Sequence, residues 1–440
     1  LLQNCSETRP FFQKSGHQID GVLYFQTTRS SLSDLIKSQM RYQPLPAGFH
    51  QKNRNKLSSY LKPNSIVFLE SNDIMPTNAD GHMGFRQQND VLYLSGIDQE
   101  ETLLVLFPDA PVEEWKEMLF VKETSEHIMI WEGKKLTKEE ATAQSGIKTV
   151  KWRQELEALL MPLMNRAEHI YLFENEHPRA VVEVESRNRR LISKLKNHFP
   201  LHQFERIAPI MENLRATKTS EEVFQISKAI DITREGFLRV LKDTRPGVME
   251  YELEAGFVYE FTRRGSKGFA YGPIIASGAN SCVLHYNDND KALKDGDIIL
   301  IDVGAEYGNY NADMTRCIPV NGRFSPRQRE VYQAVLRMMR KSSDLLRPGT
   351  TLLEYEKQVG KMMEQELIGL GLLIAGDVEK QDPEKPLYKK YFMHGTSHHL
   401  GLDVHDVGSK YRKIEAGMVF TCEPGIYIPA ENLGIRLENN

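Results

Sequence analysis

Asp302, Asp313, His398, Glu423 and Glu438 are the residues of this chain whose types and setting could do chemistry. The run Ile298-Ile299-Leu300-Ile301 leads into Asp302-Val303-Gly304, so the first carboxylate ends a stretch apolar enough to be a buried strand. Asp313 follows in Asn311-Ala312-Asp313-Met314-Thr315-Arg316. A buried carboxylate needs a partner. Four carboxylates balance two divalent cations, and one neutral imidazole completes such a set without adding charge; without metal the acids would repel one another or take up protons. An oxygen-rich set with a single imidazole suits manganese, with cobalt or zinc as substitutes. The chemistry is then metal-dependent hydrolysis.

Each member has a plainer reading. Asp302 and Asp313 alone read equally well as turn or cap residues flanking a hairpin. The segment Met393 to Asp406 shifts that balance, because it packs His394, His398, His399 and His405, four of the thirteen histidines, between glycines. Glu423 stands between an apolar run and Pro424-Gly425. Arg436 and Glu438 alternate with Ile435 and Leu437, which puts the two charged residues on one face of a strand, either an exposed polar face or part of the site.

A chain of 440 residues is longer than one hydrophobic core usually supports, which favours two domains. Residues 1 to 39 are polar, with weak periodicity, and read as a disordered or appended extension. From about residue 56 apolar strands such as Ser65 to Leu69 and Thr102 to Phe107 alternate with helical stretches such as Trp152 to Leu160, an α/β pattern. The alternation lapses into a connector around 205–218. Thr219 with Glu222 then forms a capping box opening a long amphipathic helix, so a boundary near residue 210 is expected.

The second half repeats itself. Arg245-Pro246-Gly247 with Glu250-Tyr251-Glu252 recurs as Arg347-Pro348-Gly349 with Glu354-Tyr355-Glu356, each time after an amphipathic helix; Ser325, Pro326 and Gln328 supply the second helix start. Gly296 precedes Asp302, and Gly417 precedes Glu423, by the same spacing, and His285 has a counterpart in His405. A duplicated helix-helix-strand unit would bring acidic strand ends from two halves face to face.

The formal charge of −4 is small for this length, and there is no dense basic stripe to recruit nucleic acid or anionic lipid; a neutral or zwitterionic small substrate fits better. Cys5, Cys282, Cys317 and Cys422 are scattered, as in a reduced, cytoplasmic protein. No stretch has the length of apolar sequence that spans a bilayer.

Ile301-Asp302-Val303-Gly304, Ala312-Asp313-Met314-Thr315-Arg316, His394-Gly395-Thr396-Ser397-His398, Gly401 to Asp406, Glu423-Pro424-Gly425 and Gly434 to Glu438 occur in the order of a known family, as does Leu284-His285-Tyr286. The second half therefore resembles the metallopeptidase family that holds proline-specific aminopeptidases, prolidase, methionine aminopeptidase and creatinase. The likeness is closest to the aminopeptidase P branch and extends into the first half through Ala79-Asp80, Phe85 to Asp90 and Tyr93 to Gly96, covering residues from about 40 to 440. Residues 1–39 match nothing in that pattern, and the sequence stops two residues after Glu438, where the family fold continues with further strand.

The resemblance implies an N-terminal mixed α/β domain over 40–210 and a duplicated pita-bread catalytic domain over 211–440. It also implies two divalent ions, with Asp302 on one, Asp313 and Glu438 bridging, and His398 and Glu423 completing the other, and a metal-activated hydroxide as nucleophile. Glu423 would handle the proton, His285, His394 and His405 would orient substrate, and Arg436 would fix the carboxylates. The implied substrates are peptides with proline second. Prolidase is the alternative, followed by a non-catalytic peptide-binding module of the same fold and by creatinase. A homodimer or homotetramer built through the N-terminal domain is also implied, with Asp80 reaching a neighbouring site. Trp131 reads as a core residue, with an aromatic contact near the site as the alternative.

Overall fold

The computed structural model describes residues 41–440 apart from residue 182, so the extension read at 1–39 and Cys5 lie outside the described residues. Tyr42 to Asn440 form one compact unit. Its first half is built on six strands, β1 (Ser65–Glu70), β2 (Leu103–Leu106), β3 (Glu117–Val121), β4 (Thr149–Trp152), β5 (His169–Leu172) and β6 (Gln203–Arg206), in the order β4-β3-β2-β1-β5-β6. Only β2 runs against its neighbours. The other five therefore deliver their carboxyl ends to one edge of the sheet.

All six residues of β1 are buried, as expected of a central strand covered on both faces. The period of two sorts them: Ile66 and Phe68 join Leu103, Val105, Met118, Phe120 and Ile170 on one face. Val67 and Leu69 join Leu104, Leu106, Leu119, Val121 and Tyr171 on the other. That second cluster also contains Tyr310, Leu400 and Leu402, so one face of the N-terminal sheet packs on the segment carrying the histidines.

Three local expectations are corrected. Residues 205–218 are not a bare connector; they hold the end of β6 and the helix Ala208–Ala216. Edge strand β6 reads Gln-Phe-Glu-Arg with no residue buried, so it leaves no alternation to detect. The helix expected from Trp152 begins at Leu156, after β4 and a short 3-10 turn. Trp131 lies on the helix Glu126–Glu132 with 77% of its surface exposed, so it is not a core residue.

The second half shows the expected repeat. Helices Ser220–Asp243 and Glu250–Arg263 are followed by strands β7 (Ile274–Ser277) and β8 (Ile298–Val303), then by β9 (Glu306–Tyr307), β10 (Tyr310–Asn311) and β11 (Met314–Pro319). Helices Pro326–Leu345 and Leu352–Gly369 are followed by β12 (Gly425–Ile428) and β13 (Leu433–Arg436). Thr219 and Ser325 cap the first helix of each pair through capping boxes, and Gly247 and Gly349 turn each pair at φ +90° and +97°.

Strand parity then aims the site. In the antiparallel sheet β11-β8-β7, Ile299, Ile301 and Val303 of β8 face the first helix pair with Phe237, Val240, Phe257 and Phe261. Ile298 and Leu300 share a cluster with Ile426, Leu433 and Ile435 of the second half, and Asp302, two residues on, has their parity. On the opposing hairpin β12-β13, Ile435 and Leu437 enter that cluster while Arg436 and Glu438 turn the other way.

A buried ionic clamp ties the two halves together. Arg215 reaches Asp90 of the first half at 2.8 Å and Asp406 at 2.6 Å, and Lys218 reaches Asp406 at 2.9 Å. All four are buried. Burial alone would raise Asp406, but Lys218 and Arg215 overcome it and hold the carboxyl down to about 2. Asp406 follows His405, so the clamp anchors the backbone next to that histidine.

Candidate metal centre

Asp302 and Asp313 flank the small hairpin β9-β10, as the turn reading anticipated, yet both are buried. The hairpin can fold tightly back because residue 304 is glycine: a Cβ there would stand 1.8 Å from the carbonyl oxygen of Ala312. Asp313, His398 and Glu438 offer one ligand atom each within 4.8 Å of one another. The His398 Nε2 atom lies 3.5 Å from Asp313 Oδ2 and 3.4 Å from Glu423 Oε1, which draws Glu423 into the group. Glu438 accepts from the Thr315 hydroxyl at 2.7 Å through Oε2, whereas its buried Oε1 has no partner.

Asp302 joins through a residue that sequence reasoning missed. The Tyr271 hydroxyl lies 2.5 Å from Asp302 Oδ1 and 2.5 Å from Asp313 Oδ1. A phenol carries one proton, so it can donate to only one of the two carboxylates at a time. Tyr271 sits in an irregular loop with no periodic signal, which is why the sequence hid it. Arg436 donates to Asp302 Oδ2 at 2.5 Å, to the Thr315 hydroxyl at 3.2 Å and to the Tyr427 hydroxyl at 2.8 Å, so the guanidinium is engaged along its whole fork.

The electrostatics are those of a site short of positive charge. Burial raises Glu423 to about 7, overcoming the attraction of His398 and Arg436, and the nearby Asp313 and Asp302 add to the rise. Burial together with Asp313 and Glu423 pushes Glu438 well above the carboxylate range, and Asp313 is also raised, mainly by burial. Burial would depress His398, but Asp313 and Glu423 reverse it and raise the imidazole. Protons therefore fill the role that cations would take. The donor set, the converging ligand atoms and the orphaned Glu438 oxygen all fit divalent metal.

The remaining histidines differ in setting. His394 has its Nδ1 2.7 Å from the Gly395 carbonyl and its Nε2 2.8 Å from the Tyr427 hydroxyl, so both ring nitrogens are engaged within the chain. Burial, with Arg436 beside it, lowers His394 to about 3. The His405 ring packs edge-on against His398 with centroids 4.3 Å apart, and its Nε2 accepts from Arg179 at 2.8 Å. His285 is exposed on a turn, close enough to contribute to the charge environment of His405. Sequence reasoning also passed over Arg179, Tyr427 and Thr315.

Glu423 differs in backbone from its repeat partner Asp302. The segment 417–423 is extended but held by isolated bridges from Met418 to Thr217, Phe420 to His399 and Cys422 to Asn439. Three separate partners replace one strand ladder, so no regular strand forms.

The profile of metallopeptidase family M24 covers residues 225–440, and that of the aminopeptidase P N-terminal domain covers residues 50–171. The Xaa-Pro aminopeptidase of Haemophilus influenzae is 33% identical over 408 residues, spanning 90% of this chain and 92% of its own length. The chain belongs to metallopeptidase family M24, in its aminopeptidase P branch. The Xaa-Pro aminopeptidase of Escherichia coli is 34% identical, with 89% and 91% of the two chains covered. Among solved structures, a putative aminopeptidase P from Bacillus anthracis superposes with a TM-score of 0.83 at 33% identity, covering 90% and 92% of the two chains. Aminopeptidase PepP of Pseudomonas aeruginosa gives a TM-score of 0.82 at 32% identity over the same shares. The mixed α/β architecture of this M24 chain, with an aminopeptidase P N-terminal domain ahead of its metallopeptidase domain, matches the fold its motifs imply.

Proposed function

We propose that this chain releases the N-terminal residue from peptides with proline in the second position. The observation that carries the reading is the convergence of Asp313, His398 and Glu438, with Glu423 beside them, in a chain that spans nearly the whole length of its Xaa-Pro aminopeptidase relatives. Asp302 would hold one divalent ion, Asp313 and Glu438 would be shared between two, and His398 and Glu423 would complete the second. Such a pair supplies Lewis acidity and a water acidic enough to react at neutral pH.

The chain's own groups do the rest. Glu423 turns Oε1 toward His398 and leaves Oε2 on the side of His394, 3.7 Å from its Nδ1, free to take a proton and return it to the proline nitrogen as that group leaves. Arg436 holds Asp302 in place, and the Tyr427 hydroxyl ties Arg436 to His394. His285 and His405 would orient the substrate and donate hydrogen bonds to the tetrahedral intermediate. An Xaa-Pro bond lacks the N–H that ordinary peptidases grip, so a site shaped for the ring converts that handicap into selectivity.

Manganese is the metal this oxygen-rich set suits best, with cobalt or zinc as substitutes. Assembly into a homodimer or homotetramer through the N-terminal domain is supported by Met129, Ile130 and Trp131, exposed side by side on one short helix. The domain division near residue 210 and a cytoplasmic setting complete the proposal; Cys282, Cys317 and Cys422 are all free thiols. No described helix is long and apolar enough to cross a membrane.

The test compares an Xaa-Pro dipeptide with an Xaa-Pro-Xaa tripeptide on protein loaded with each divalent metal. Cleavage of the tripeptide before proline is expected. Strong preference for the dipeptide would make the chain a prolidase, and no turnover with any metal would refute the peptidase reading.

A further inference from the structure

The carboxyl ends of β1, β3, β4, β5 and β6 emerge on one edge of the N-terminal sheet, and the segments leaving that edge reach the catalytic half. Arg86, after β1, donates to Asn311 Oδ1 and to the Leu402 carbonyl. The segment after β5 sends Arg179 to His405, where one guanidinium N–H meets Nε2 at 2.8 Å.

Arg179 is built into place. The His177 amide donates to Asn175 Oδ1, the Arg179 amide donates to His177 Nδ1, and the Ala180 amide donates to the His177 carbonyl, folding residues 175–180 into a turn with the arginine at its tip. The acids of the same segment are occupied elsewhere: Glu174 binds Arg189, and Glu176 binds Arg206. Among the described residues no carboxylate lies within ion-pair distance of Arg179, although it is exposed at the edge of a site rich in acids. A guanidinium has five N–H donors, and only one of these is engaged by His405.

An unpartnered, fork-shaped cation at the mouth of a peptide site suits a carboxylate. Distance selects which one. The rings of His398 and His405 are 4.3 Å apart, and the guanidinium stands a further 2.8 Å hydrogen bond beyond His405. An extended peptide advances roughly 3.3–3.6 Å per residue, so along this path of contacts Arg179 stands at most two to three residue lengths from the His398 ring. With the bond before proline at the metals, the first length is proline and the second is the residue after it. We propose that Arg179 binds the C-terminal carboxylate of the residue following proline, making Xaa-Pro-Xaa tripeptides with a free carboxyl end the preferred short substrates. This rests on the Xaa-Pro peptidase reading and assigns it a substrate length.

The test measures kcat/KM for one Xaa-Pro-Xaa tripeptide as free acid and as C-terminal amide, in the metal-loaded wild type and in Arg179→Ala and Arg179→Lys. Comparing acid with amide within each protein cancels any effect of the substitution on His405. The wild type is expected to favour the acid by about fivefold, chiefly through KM, as for a partly exposed ion pair. Arg179→Ala should bring the ratio near one, and Arg179→Lys should fall between. A wild-type ratio near one, or a ratio that survives Arg179→Ala, overturns the assignment of Arg179 while leaving the peptidase reading intact. No cleavage of either peptide by the wild type refutes both.

Discussion

Removing metal should make the stability of this protein fall as pH rises, and restoring metal should abolish that fall. In the chelated protein Glu423 holds its proton up to about 7, against an ordinary value of 4.5. Below the lower value both the folded and the unfolded chain carry the proton, and stability from this group is complete. Between the two values the unfolded chain has released it while the folded chain retains it, so stability drops as pH rises, by about 1.4 kcal/mol per unit. The full loss from Glu423 is about 3 kcal/mol. Asp313 and Glu438 are raised as well, and His398, an imidazole raised above its usual value, also loses its stabilising proton as pH rises. All four act in one direction. For a folded unit of this size 3 kcal/mol corresponds to about 4 °C in Tm. Calorimetry of chelated and metal-loaded protein between pH 5 and pH 8 isolates the site, because every distant group titrates alike in both forms. The gap in Tm between the two forms should widen toward pH 8. A gap that stays constant, or narrows, would refute the assignment of the raised protons to the cluster.

Other outcomes follow from the same geometry. Glu423→Gln should lower kcat by about 10²–10⁴ through loss of proton transfer while Tm moves little, checked by steady-state kinetics beside calorimetry and metal content; an unchanged kcat removes Glu423 from the mechanism. Tyr271→Phe deletes the hydroxyl between Asp302 and Asp313 and should destabilise the chelated protein by about 1–3 kcal/mol, with a smaller effect once metal neutralises the acids, as read from paired melting curves. Gly304→Ala drives a methyl against the Ala312 carbonyl and should cost about 2–4 kcal/mol or prevent metal uptake altogether, seen in denaturant unfolding and metal analysis.

The acids were legible in the sequence because each sits beside an apolar run that fixes its face: Asp302 by the parity of Ile298 and Leu300, Arg436 and Glu438 by that of Ile435 and Leu437. The helix starts at Thr219 and Ser325 were legible for a similar reason, since a capping box is a local device completed within four residues. Tyr271 and Arg179 were not. Both reach the site from irregular backbone, where no period marks a side chain's direction, and Arg179 meets His405 across 226 positions of sequence. Trp131 was misread because an exposed indole on a short helix has the same local pattern as a buried one. Edge strand β6 and the extended run before Glu423 escaped notice because their pairing partners, not their own residues, define them.

The clamp of Arg215, Lys218, Asp90 and Asp406 limits how this chain could be divided or recombined. Arg215 and Lys218 lie in the join between the halves, and their carboxylate partners come from both sides, Asp90 from the first and Asp403 and Asp406 from the second. Deleting the first half would leave Arg215 without Asp90 and would bare Leu400 and Leu402, which share a core with the N-terminal sheet. Grafting a foreign first domain would require it to offer a buried acid at the position of Asp90. The catalytic half of this chain is thus not a portable module: its partner domain can change only together with the charge pattern that the join already carries.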